Sequence, residues 1–124
     1  MNRMIQRSAL PALAVIAVVS TAGQQAAKPV GEKVSISGAV VDLACYFGKG
    51  DAGPSHLKCA EMCAKAGVPF GILADGKLYV PARHGESSND ALLQFLEQQV
   101  TVTGKAFPAG GASTIELGTI TKKS

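Results

Sequence analysis

A mainly β, α+β fold built on a single five-stranded barrel is predicted for this chain from three observations. Apolar–polar alternation recurs in short stretches at residues 34–41, 68–74, 77–80, 100–107 and 113–121. The second and third stretches are joined by Asp75-Gly76 and the last two by the proline- and glycine-rich residues 108–112, so each pair reads as a hairpin. Two segments with helix boundary signals, residues 55–66 and 90–98, interrupt the strands.

Taken in order, the first strand sets Val34, Ile36, Gly38 and Val40 against Ser35, Ser37 and Ala39, and Gly38 suggests a bulge. Cys45 lies on the exit of that strand, and residues 48–55 have the composition of a glycine-rich loop. Pro54 suits the first position of a helix and Gly67 the residue just past its end, which gives the helix over 55–66. After the first hairpin, residues 81–88 form a turn-rich connection. Asn89 then caps the helix over 90–98, with Leu92, Leu93 and Leu96 on its apolar side. The final hairpin carries Val100, Val102, Gly104 and Ala106, then Ile115, Leu117 and Ile120. With the cysteine-bearing helix set aside as an insertion after strand 1, three strands, a helix and two strands remain. That is the order of the OB barrel, with its helix between strands 3 and 4. A small open α+β sandwich is the alternative.

The chain divides into a signal peptide at 1–22, a disordered lead-in at 23–31 and a single OB-like domain at 32–124. Arg3 and Arg7 supply a positive start, residues 9–19 an apolar run, and Ser20-Thr21-Ala22 a small-residue cleavage site. Pro11 interrupts the run, which is short for a membrane span, although an uncleaved N-terminal anchor is the alternative. The expected location is periplasmic or secreted, with no membrane span after cleavage. The formal charge of +3 belongs largely to the leader: removing Arg3 and Arg7 takes Lys+Arg from 12 to 10, against 9 Asp+Glu. The domain is then nearly neutral and lacks the dense basic stripe that neutralises phosphates, which argues against nucleic-acid binding. Trp is absent, so the core falls to Val, Ile, Leu and Ala.

All 3 cysteines and one of the 2 histidines fall in one short stretch: Cys45, His56, Cys59 and Cys63. On a helix, His56, Cys59 and Cys63 stand at i, i+3 and i+7, within an arc of about 60°. Cys45 can fold over that face from the strand exit, so the four side chains can converge as a tetrahedral Cys3His site. Zinc would occupy it as a closed structural centre. Copper(I) would favour the three thiolates, with Met62 nearby. An iron–sulfur cluster matches the ligand type alone, without a matching spacing.

Two other readings stay open. Cys59, Cys63, Met62 and Ala66 could form one core-facing stripe, with Cys45 bridged to Cys59 or Cys63 and the third thiol buried. Such a staple typically contributes about 2–4 kcal/mol. The barrel would then be a disulfide-stabilised binding module for a peptide, glycan or partner protein. Alternatively the thiols are redox-active, with His56 and Lys58 lowering a thiol pKa, although the C-x-x-x-C spacing is not that of thioredoxin-like proteins.

The segment Gly38-Ala39-Val40-Val41-Asp42-Leu43-Ala44-Cys45-Tyr46 carries G-x-V-x-D-x-x-C-Y. His56 to Pro69 carries H-x-x-C-A-x-x-C-A-x-x-G-x-P, and Val100-Thr101-Val102-Thr103-Gly104 carries V-x-V-x-G. In these motifs the chain resembles a set of small exported bacterial proteins of uncharacterised function. The resemblance spans most of residues 32–124. It implies an exported OB-like domain and no established activity.

Around the cluster, Asp42 is placed either to hydrogen-bond a ligating imidazole or to end the strand and cap a turn. Tyr46 and Phe47 either cover the site or complete the core. His84, in Arg83-His84-Gly85-Glu86, reads most simply as a solvated loop residue, with a further ligand or binding group as the alternative. The sequence carries no nucleophile elbow, P-loop or metalloprotease helix, so catalysis has no positive support.

Overall fold

The computed structural model describes residues 30–109 and 112–124. The signal peptide predicted at 1–22, most of the lead-in, and the tip of the last hairpin at 110–111 lie outside the described residues. The elements are β1 (Glu32–Asp42), α1 (Leu43–Lys49), a 3-10 turn (Pro54–His56), α2 (Leu57–Lys65), β2 (Phe70–Ala74) and β3 (Lys77–Ala82). They continue with α3 (Ser88–Leu92), a second 3-10 turn (Leu93–Phe95), β4 (Gln99–Ala109) and β5 (Ala112–Lys122).

The strands close into a five-stranded barrel in the order β1-β2-β3-β5-β4, with β4 pairing back onto β1. Every pairing is antiparallel except β3 with β5, which is parallel. This is an OB-like α+β fold, with the cysteine-bearing helices inserted after strand 1 and α3 between strands 3 and 4. The Asp75-Gly76 signal is realised as a two-residue hairpin: Ala74 pairs with Lys77, and both turn residues have positive φ, 50° and 72°.

Barrel closure depends on β1 serving two neighbours. Residues from Glu32 to Ala39 pair with β4, and those from Ala39 to Asp42 pair with β2. Gly38 sits where the strand passes from one partner to the other. A Cβ there would collide with the carbonyl oxygen of Leu73, and the nearest side-chain atom, Ala74 Cβ, would lie at 2.8 Å. Gly38 therefore marks a close approach, and its pairing with β4 runs without a bulge. The irregularity falls instead between Val102 and Gly104, where β4 meets β5.

The interior is filled by Val40, Phe70, Ile72, Val100, Val102, Ile115 and Leu117 from the strands, joined by Ala60 of α2 and by Leu92 and Leu96. Burying each of the larger side chains stabilises the fold by roughly 1.5–3 kcal/mol.

The second helix departs from expectation. It starts at Ser88, gives way to a 3-10 turn at Leu93, and Asn89 is not its cap; the N-cap residue is Ser87. The Asn89 side chain is engaged elsewhere, accepting from the Phe70 N–H at 3.1 Å and donating to the Val68 carbonyl at 2.9 Å. It thereby ties the helix to the start of β2. Of the predicted apolar face, Leu92 and Leu96 are buried but Leu93 is 52% exposed. No helix among the described residues is long and apolar enough to cross a membrane.

Candidate metal centre

The site begins where β1 ends. Asp42 is fully buried and leaves the strand with extended backbone as the N-cap of α1. Its Oδ1 accepts from the N–H groups of Ala44 (2.9 Å) and Cys45 (3.1 Å), satisfying two of the donors a helix start leaves unpaired. Gly50, left-handed with φ 74°, closes the helix by donating its N–H to the Tyr46 carbonyl at 2.9 Å. Cys45 is thus fixed in the first turn of a short helix, and the segment expected as a strand exit and loop is ordered by its two caps.

The chain then crosses to α2 through Gly53. Its N–H donates to Glu97 Oε2, and its carbonyl accepts the His56 N–H at 2.9 Å. His56 ends the following 3-10 turn with its side chain 9% exposed. Nε2 lies 3.3 Å from Asp42 Oδ2, and Nδ1 lies 3.9 Å from Asp51 Oδ2. Asp42 makes both contacts at once: one oxygen caps α1 while the other meets the imidazole.

Helix α2 turns Leu57, Ala60 and Ala64 toward the barrel and carries Cys59 and Cys63 one turn apart. The thiols of Cys45, Cys59 and Cys63 are free and half-buried. Cys45 Sγ lies 3.9 Å from Cys59 Sγ and 4.0 Å from Cys63 Sγ. The ligand atoms of these three residues fall within 4.8 Å of one another, and the same span holds for a second group, Asp42, Cys45 and His56. Cys45, Cys59, Cys63 and His56 therefore lie close together, as two overlapping groups that share Cys45.

The core-facing stripe of Cys59, Met62, Cys63 and Ala66 does not form. Met62 is 61% exposed and Ala66 is exposed, because α2 packs through Ala60, its one fully buried residue, whose small side chain admits the close approach to β1. Phe47 is likewise 70% exposed, stacked edge-on against half-buried Tyr46 at 5.6 Å. His84 is exposed on the loop between β3 and α3, outside both ligand groups.

Burial and a neighbouring carboxylate set the charge states. Desolvation works to raise the Asp42 carboxyl, but the Cys45 N–H, His56 and the thiols of Cys45 and Cys63 together hold it below its ordinary value. Burial, then hydrogen bonding to Asp42 and to the other two thiols, pushes the Cys45 thiol up to about 12. Burial also raises Cys63, against a hydrogen bond from Cys45 that works the other way. The expected lowering by His56 and Lys58 is not what Cys45 and Cys63 experience: the Asp42 carboxylate acts to raise both, and Lys58 is exposed. Three thiols and a buried carboxylate facing one another could hold a cation, whose charge would reverse this preference and displace the thiol protons.

Glu97 was not legible as part of this arrangement. It is 3% exposed with φ 58°, and its N–H donates to the Val40 carbonyl at 2.8 Å. Its Oε2 anchors Gly53, while Oε1 has no hydrogen-bond partner. A glutamate in the polar run Glu97-Gln98-Gln99 looks like the exposed end of a helix. A cavity of about 430 Å³ lined by Glu61, Ala64, Lys65, Phe70 and Asn89, among others, contains none of the thiols.

No family model matches this chain, and neither a curated protein nor a solved structure matches it.

Proposed function

We propose that this protein is an exported small domain that binds zinc or copper through Cys45, Cys59, Cys63 and His56, as a structural centre or in metal handling. The observation that carries this reading is the sulfur spacing of 3.9 and 4.0 Å about Cys45. Ligands disposed tetrahedrally at about 2.3 Å from zinc are about 3.8 Å apart, so little movement separates the thiol cluster from a coordination shell. Asp42 supports His56 as the fourth ligand, because a carboxylate on one ring nitrogen orients the imidazole and raises its basicity. Zinc uses all four groups; copper(I) is satisfied by the three thiolates. Export is supported by the charged, apolar and small-residue order of residues 1–22 and by the resemblance to exported proteins.

Native mass spectrometry of the protein recovered from its own compartment, before and after chelation and alkylation, tests the reading. One bound zinc or copper, with all three thiols becoming alkylatable together on chelation, is the expected result. Cys45→Ser, Cys59→Ser and Cys63→Ser should each abolish retention, and His56→Ala should weaken zinc more than copper(I) while the domain stays folded. Equal metal content in all four variants sinks the proposal.

A further inference from the structure

We infer that the same three thiols form a thiol–disulfide exchange site for small-molecule disulfides, in which Cys45 is the common partner of Cys59 and Cys63 and closure of either bond ejects the metal. The pairing stands on geometry alone; the ejection rests on the metal-binding reading.

Cys59 and Cys63 are separated by one turn of α2, which places their Cβ atoms about 5–6 Å apart. A disulfide needs about 3.5–4.5 Å between Cβ atoms, so these two cannot join without unwinding the helix. Cys45 is on a different element, α1, and its sulfur is almost equidistant from the other two, at 3.9 and 4.0 Å. A sulfur–sulfur bond of about 2.05 Å requires a closing movement of roughly 2 Å. The chain between α1 and α2 can supply it, because it turns at Gly50 and Gly53 and is held at Gly53 by a single side-chain contact, from Glu97.

The chemistry balances with one disulfide, RSSR, as oxidant. The sulfur of Cys59 or Cys63 attacks RSSR; a mixed disulfide forms, and the released RS⁻ takes the proton the attacking thiol gave up. Cys45 Sγ then attacks the protein-side sulfur of that mixed disulfide. The bond to SR breaks, and the second RSH leaves with the Cys45 proton. Two protein thiols have lost two electrons, and RSSR has become two RSH. The third thiol still lies beside Cys45 and can attack in turn, so the bond exchanges between the two α2 cysteines. In either form two of the three sulfurs are no longer anionic ligands, and one thiol with His56 does not retain the ion.

The test incubates metal-free protein with oxidised glutathione and reads intact mass and disulfide-linked peptides. Wild type should become two protons lighter with one alkylatable thiol, its linked peptides divided between Cys45–Cys59 and Cys45–Cys63. Cys59→Ala and Cys63→Ala should each still close a bond, whereas Cys45→Ala should stop at the glutathione adduct. A Cys59–Cys63 bond in Cys45→Ala, or a wild type that stops at the adduct, overturns the pairing. Should Cys45→Ala fail to fold, the two α2 variants decide, since both must close. Zinc-loaded wild type, treated in the same way with a colorimetric chelator present, should release one zinc per disulfide formed. Zinc retained by the oxidised protein overturns the ejection. Failure to take up either zinc or copper(I), with the pairing pattern intact, refutes the metal reading and leaves Cys45 as the common partner.

Discussion

His56 Nε2 lies 3.3 Å from Asp42 Oδ2, which joins the last residue of the first strand to the turn that opens the second helix. Because Asp42 Oδ1 also holds the first turn of α1, one buried carboxylate positions both Cys45 and the imidazole. Asp42→Ala should therefore lose the cap, at about 1 kcal/mol of stability in urea denaturation, and also loosen metal about 10–100-fold in a competition titration. Asp42→Asn keeps a capping oxygen and should recover most of the stability but little of the affinity. If both variants lose stability and affinity in parallel, Asp42 is only a structural cap.

The barrel was legible because its signals are local. A two-residue turn at Asp75-Gly76 and the alternation of Val100 and Val102 need no knowledge of the rest of the chain. Helix α1 was not legible, although its caps were present as Asp42 and Gly50. A helix of 7 residues containing Tyr46, Phe47 and Gly48 has little intrinsic stability, and its order comes from the site it helps to build. Asn89 misled for a related reason. Its amide suits a helix cap, but the backbone at Val68 and Phe70 claims it. That Cys45, His56, Cys59 and Cys63 would lie close together was readable from type and spacing, whereas Glu97 acts through a backbone contact from a residue 44 positions away.

The raised Cys45 thiol should make the metal-free protein sensitive to alkali. A folded-state pKa of about 12 against an ordinary 9.0 means the thiol's contribution to stability is complete below pH 9 and is lost as pH rises from about 9 toward 12. Urea midpoints of the metal-free protein should fall through that window, and Cys45→Ala should flatten the fall. Asp42 acts at the other end. Its lowered pKa contributes stability above about 3.8 that disappears as pH drops below that value. A metal-free stability profile that is level from pH 9 to 12 would falsify the thiol assignment.

Adjacent leucines offer a test of the helix packing. Leu92 is fully buried in the barrel cluster, while Leu93, the next residue, is 52% exposed. Leu92→Ala should cost about 2–5 kcal/mol through lost contacts and a residual cavity. Leu93→Ala should stay within about 0.5 kcal/mol of wild type. A continuous helix over 90–98 that buried all three leucines would make both changes costly, so thermal melts of the pair separate the two arrangements.

Glu97 tests whether the barrel sets the geometry of the inserted segment. Its Oε2 holds the Gly53 N–H, and the Gly53 carbonyl in turn receives the His56 N–H. Glu97→Ala removes the acceptor and leaves Gly53 tied to the barrel by no side chain among the described residues. Its amide should then exchange with deuterium at least about tenfold faster, the equivalent of about 1.4 kcal/mol of opening free energy, while the core amides of Val40 and Val102 keep their protection. If His56 is zinc's fourth ligand, as proposed, zinc should bind more weakly in this variant, and copper(I), if held by the three thiolates alone, should not. Unchanged exchange at Gly53 would mean that the crossing segment is held by its own turns, leaving Glu97 as a buried carboxylate of the barrel with no part in the metal centre.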